Sequence, residues 1–202
     1  MRQRAGLTAL VTIVLAAAVG CTSGGDGGST RPAAAAATTT TAHHVANPPV
    51  PADASPRQVR ARFEQLLGQH ALLAVRLTRS EVAKAPELKA ATQTSLTANT
   101  QALQQLVGVA YDNAGSDRFS RLWRGYTDEL DAYAGAAAGN NAAGKQEARA
   151  AMLDYCRDWG SFLAEASDGR VQAAAAQRSA QTRVEQLMGQ VDAYAAKDYG
   201  QA

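Results

Sequence analysis

Cysteine, proline beyond the first quarter of the chain, and charge of one sign are all scarce. Cys21 and Cys156 are the two cysteines in 202 residues. No Cys-x-x-Cys-His is present for covalent haem, no His-Glu-x-x-His or paired Glu-x-x-His for a metal, and no Gly-x-Ser-x-Gly for a serine nucleophile. No nucleophile–base pair or paired-carboxylate site is visible, so the chain does not read as an enzyme and implies no cofactor. After residue 56 proline occurs once, at Pro86. From Ser55 to Tyr199 seventeen Lys/Arg stand against sixteen Asp/Glu. A protein of that balance has no basic surplus to hold nucleic acid.

What is present begins with the first twenty-one residues. Arg2 and Arg4 precede an apolar run from Ala5 to Leu15, and small residues lead through Gly20 to Cys21. The run is shorter than the roughly 20 residues of a spanning helix, and no second one follows. A basic start, an apolar core and small residues are the layout of a secretory signal. A signal without lipidation is the nearest rival reading. The ending at cysteine resembles the lipobox of bacterial lipoproteins. That resemblance implies removal of residues 1–20, acylation of Cys21, and a protein held on the extracytoplasmic face of the cell membrane. Cys156 then has no intramolecular partner. Its place among apolar helix positions suits a small buried hydrophobe.

Residues 21–54 are low-complexity: Gly/Ser/Thr, then five alanines, four threonines and Pro48-Pro49-Val50-Pro51. Such a segment cannot bury enough apolar surface to offset ordering entropy, so it reads as a disordered linker. Fully extended it reaches on the order of 100 Å. His43-His44 within it reads as incidental.

Residues 55–202 are rich in Ala, Gln, Leu and Arg, which is helix composition. The expectation is an all-α domain, an up-and-down antiparallel bundle of four to five helices. Ser55-Pro56-Arg57-Gln58 has the form of a capping box with proline in the first turn. Val59, Phe63, Leu66, His70, Leu73 and Leu77 follow in steps of four and three. A second helix runs from Pro86 to Tyr111. Asp112-Asn113-Ala114-Gly115 breaks it, and Ser116 is the expected cap of a third, with Phe119, Trp123, Tyr126, Leu130 and Tyr133 on one face. Gly139-Asn140-Asn141 precedes a fourth carrying Met152, Tyr155, Trp159 and Phe162. Ser167 or Asp168 is the expected cap of a fifth. Its small start, Ala173 to Ala176, suits close helix approach. Short loops force consecutive helices antiparallel, giving four helices with a fifth alongside or completing the core.

The hairpins also set heights. His70 lies fifteen residues before the turn near Ala85, and Asn99 fourteen after it. Tyr126 falls within a helical turn of the same height. His70, Asn99 and Tyr126 are therefore expected to meet in mid-bundle. They form either a hydrogen-bonded layer that fixes register or a site for a small ligand or metal. On the surface, Arg118, Arg121 and Arg124 line one side of the third helix. They form either a solvated face or a contact for anionic headgroups or wall polymers.

Gln69-His70-Ala71, Leu96-Thr97-Ala98-Asn99-Thr100, Gly108-Val109-Ala110-Tyr111-Asp112 and Phe119-Ser120-Arg121-Leu122-Trp123-Arg124 resemble a helical unit of secreted bacterial proteins whose function is unassigned. The resemblance covers roughly residues 63–133. In that pattern a histidine often stands where this chain has Tyr126, and an acidic residue where it has Ala102. Both departures take away ligands a metal would use. The Ala/Arg/Gly bias and the lipobox together resemble actinobacterial lipoproteins. The function expected is a membrane-anchored, non-enzymatic binding module. Its partners would be the membrane, through the lipid on Cys21, and an envelope protein or wall polymer. The alternative is a small-ligand or metal carrier using the mid-bundle layer.

Overall fold

The computed structural model describes residues 54–200 except Asp112. The signal segment, Cys21, and the linker up to residue 53 lie outside the described residues. Five helices fill the described chain: α1 Pro56–Val82, α2 Pro86–Ala110, α3 Asn113–Ala138, α4 Ala142–Ala166 and α5 Ala173–Ala195. No strand occurs among the described residues, and the helices pack on one another as an all-α bundle.

Local chemistry explains most of the boundaries. The capping box at Ser55 forms: the Ser55 amide donates to Gln58 Oε1 at 2.8 Å, and the Gln58 amide to Ser55 Oγ at 3.4 Å. Asn141 caps α4, its Oδ1 accepting from the Gly144 amide at 3.0 Å. The ends of α1, α3, α4 and α5 share one device. Lys84, Asn140, Asp168 and Lys197 each adopt a left-handed φ between 51 and 61°. The amide after each reaches back to close the last turn, as in Ala85 to the Ser80 carbonyl at 2.9 Å. This is the Schellman arrangement, here built without glycine at the left-handed position.

Two expected caps are corrected. Ser116 does not start α3, which begins at Asn113. Its hydroxyl instead donates to the Gln104 carbonyl of α2 at 3.1 Å, a partner across the hairpin that a sequence window does not contain. Neither Ser167 nor Asp168 caps α5. Gln172 stands at its N-cap without a side-chain bond. Ser167 Oγ instead accepts from the Val171 amide and donates to the Ala164 carbonyl, so it shapes the turn.

As expected, the fifth helix completes the core of the bundle, through Val184, Met188 and Val191. α3 packs against every other helix. It is the shared wall of two three-helix units, α1–α2–α3 and α3–α4–α5, and α1 also touches α5. The core correspondingly has two halves. The upper one, by the N-terminus of α1, is aromatic: Phe63, Phe119, Trp123, Trp159 and Phe162 around Leu66, Leu103 and Leu106. The lower one has Ala74, Ala134, Ala137 and Ala148 around Leu130, Met152 and Met188. Ala74 continues the buried row of α1 in place of the expected Leu73, and Leu72 is left 76% exposed. A methyl at that position lets α1 approach its neighbours where a leucine would hold it off. Small residues serve α4 and α5 likewise. A Cβ on Gly160 would lie 2.5 Å from the Ala173 carbonyl oxygen.

Candidate functional site

Between the two halves of the core runs a layer of polar side chains. α1 contributes His70, 3% exposed, because the apolar row of Phe63, Leu66 and Leu77 carries it inward. α2 contributes Asn99, which is fully buried. α3 contributes Trp123 and Tyr126. The three residues expected from the sequence therefore do meet at one height. The His70 and Tyr126 rings are 6.0 Å apart.

The bonds within the layer assign the protons. Trp123 Nε1–H donates to His70 Nδ1 at 3.2 Å. An indole nitrogen can only donate, so Nδ1 is the acceptor and the imidazole proton sits on Nε2. Asn99 Nδ2 donates to the Leu66 carbonyl at 3.0 Å and to Gln69 Oε1 at 3.2 Å. This turns Asn99 Oδ1 to the other side. His70 Nε2 and Asn99 Oδ1 are each buried without a partner at full hydrogen-bond geometry. Yet Asn99 acts on His70 as a hydrogen-bonding neighbour.

Three further residues belong to the layer, and the sequence reading did not place them in it. Trp123 was seen only as an apolar position. Tyr155 of α4 stacks on Tyr126, centroids 5.2 Å apart. Arg183 of α5 acts electrostatically on both Tyr126 and His70. All five helices therefore meet at this height. Burial dominates the electrostatics. It holds His70 down to about 4, opposed by Asn99 and reinforced by the Arg183 charge. It lifts Tyr126 to about 12 and Tyr155 well above the usual phenol range. Beside them Cys156 is buried, and burial raises its thiol to about 11. A thiol so placed is not a nucleophile at neutral pH.

The layer is thus neutral at His70, and the imidazole's one lone pair is already engaged by the indole. A metal on His70 would need either that lone pair or removal of the proton that faces Asn99. No group of three or more His, Cys, Asp or Glu fit to hold a metal occurs among the described residues. A groove between α1 and α5 has room for about one water molecule. It is lined by Val75, Thr78, Val82, Leu187 and Val191, with Arg79 over the Tyr194 ring at 5.2 Å.

The arginine row of α3 is partly engaged. Arg118 forms an ion pair with Glu165 of α4 and lies over the Phe162 ring at 5.7 Å. Arg124 Nε donates to the Ser120 carbonyl of its own helix. No helix among the described residues is long and apolar enough to cross a membrane. No protein-family model matches the chain, and comparison with curated proteins and with solved structures finds none similar to it.

Proposed function

We propose that the chain is a lipoprotein of the extracytoplasmic face of the cell membrane. It is held by acyl chains on Cys21 and displays a non-enzymatic helical module that binds an envelope protein or a wall polymer. The observation that carries the module half of this reading is the closed interior. The layer's one histidine spends its lone pair on Trp123, and the groove between α1 and α5 has no room for an organic substrate. Recognition is therefore assigned to the outer faces of the helices. The anchoring half rests on the sequence around Cys21. Two or more acyl chains are what stable membrane attachment requires. A linker of this length lets the bundle stand clear of the bilayer.

The test is metabolic labelling with a palmitate analogue, followed by cell fractionation. Wild-type chain is expected in the membrane fraction and labelled. Cys21→Ala is expected unlabelled, and released or retained as precursor. An unlabelled wild type, or a Cys21→Ala chain that labels and fractionates like wild type, overturns the anchor.

A further inference from the structure

α1 and α5 form one wall of the bundle, since each packs on α3 and the two also touch. The outer surface of that wall is turned away from α3. Gly68, Leu72, Arg76 and Arg79 follow at helical spacing along α1, and all four are exposed. Arg79 lies over the Tyr194 ring of α5, and the exposed Tyr199 meets that ring edge-on, centroids 5.6 Å apart. The wall thus carries arginines, a bare leucine and a tyrosine pair side by side.

The charge on this wall is not neutralised from within. α1 and α5 hold seven arginines and four carboxylates. All four carboxylates are taken: Glu64 by Arg60 of its own helix, Glu81 by Lys89 of α2, and Glu185 and Asp192 by Arg149 and Lys145 of α4. The last three are therefore drawn toward the flanking helices. Arg57, Arg76 and Arg79 form no ion pair among the described residues. α3 and α4 have the reverse balance, six bases to eight carboxylates. There burial, with Asp128 and Glu147, raises the Glu129 carboxyl above its usual range. The arginine row of α3 belongs to this acidic side, and its Arg118 is held by Glu165. A second copy does not suit the cationic wall, because two-fold pairing would set Arg76 and Arg79 against their own counterparts. An anionic lipid surface does suit it: arginines match headgroup phosphates, and tyrosine and leucine match the interface beneath them.

We propose that the α1–α5 wall docks on anionic phospholipid: Arg57, Arg76 and Arg79 meet headgroup phosphates, and Leu72 enters the interface between them. This rests on Cys21 being the anchor, for residues 21–54 lead from that cysteine into α1 itself. The tether keeps the wall at high effective concentration over the bilayer, so weak contacts suffice. Docking lays the bundle down and turns the outer surface of α3 away from the membrane, toward an envelope partner. Each arginine near such a surface strengthens docking on the order of fivefold, and salt weakens it.

The test uses the full chain purified from membranes and reconstituted in vesicles containing a lipid spin-labelled at its headgroup. A fluorescent thiol label is placed at Gly68→Cys on the wall or at Gly125→Cys on α3. Both positions are exposed and open to a side chain, and Cys156 is buried. With phosphatidylglycerol mixed into phosphatidylcholine, the label at 68 is expected to be quenched and the label at 125 spared. The difference should vanish in phosphatidylcholine alone and in about 1 M salt, where charges are screened beyond about 3 Å. Arg76→Gln/Arg79→Gln should lower the docked-to-free ratio on the order of tenfold or more, while Arg76→Lys/Arg79→Lys should keep it. Labels quenched alike, or quenching at 68 that persists without anionic lipid or without the two arginines, overturns the proposal. An absence of quenching at 68 also overturns it and leaves the wall to an acidic protein partner. If mass spectrometry finds Cys21 without lipid, the anchor itself fails. The wall is then judged by sedimenting that chain with the same vesicles: binding that does not need both phosphatidylglycerol and the two arginines overturns docking as well.

Discussion

Lowering the pH tests the burial of His70 as a matter of overall stability. The unfolded chain titrates this imidazole near its ordinary 6.5, and the folded chain near 4. Between those values the unfolded state binds a proton that the folded state does not. The stabilisation is therefore complete above pH 6.5 and is lost as the pH falls toward 4. The gap of about 2.5 pH units corresponds to roughly 3 kcal/mol. A domain of this size has about 5–15 kcal/mol in total, so the loss is a large share of it. Carboxylates also begin to protonate in this window, so the wild-type curve alone does not isolate His70. His70→Leu removes the titration but strands the Trp123 N–H, a buried donor, at a cost of about 1–3 kcal/mol. Urea unfolding of both chains from pH 7 to pH 4 should find wild type the more stable at pH 7. That advantage should shrink as the pH falls and disappear by about pH 4–5. Parallel curves would refute the reasoning, because they would mean that the folded state tolerates imidazolium as well as the unfolded one does.

Gly160→Ala should destabilise by about 1–3 kcal/mol, because its methyl meets the Ala173 carbonyl at 2.5 Å and α5 must shift. Gly68→Ala, Gly125→Ala and Gly189→Ala meet nothing within 4 Å and should each stabilise by up to about 1 kcal/mol through helix propensity. Thermal melts of the four variants check the opposed signs. Asn99→Ala should cost about 1–3 kcal/mol in urea unfolding, since it removes the donor to Leu66 and Gln69 from a sealed layer. Cys156 should react with a disulfide reagent at pH 8 far more slowly than an unfolded thiol, and the rate should rise with sub-denaturing urea. Fast labelling in the native state would show that the thiol is accessible. Arg118→Ala should change stability by less than about 1 kcal/mol, because its pair with Glu165 is largely solvent-exposed.

The polar layer was legible because hairpin arithmetic needs only the turns. His70 and Asn99 lie fifteen and fourteen residues from the first turn, and they do meet. The same arithmetic carried on would have reached α4 and α5. Tyr155 lies fourteen residues before Gly169, and Arg183 fourteen after it. Nothing in the sequence marks Arg183, because a charged residue in a helix is ordinarily a solvated one. The spacing places Trp123 in the core, but periodicity does not say where an indole nitrogen points. The helix ends were harder. A left-handed residue is sought as glycine, and at Lys84 and Lys197 the chain offers lysine. The role of the Ser116 hydroxyl is not legible in the sequence because its acceptor is on another helix, twelve residues away at Gln104. The fold class, by contrast, needed only the four-and-three spacing of apolar residues and the short loops between segments.

The uneven division of the core has an optical consequence. Both tryptophans, Trp123 and Trp159, belong to the aromatic half, where they pack against Phe119 and each other. The lower half holds Tyr126, Tyr133 and aliphatic side chains but no indole. Tryptophan emission is thus a probe of one end of the molecule, whereas the circular dichroism of the backbone samples both. If the two signals fall together in denaturant, the halves melt as one cooperative unit despite the layer between them. If ellipticity falls first, the alanine-rich end frays while the indoles remain buried.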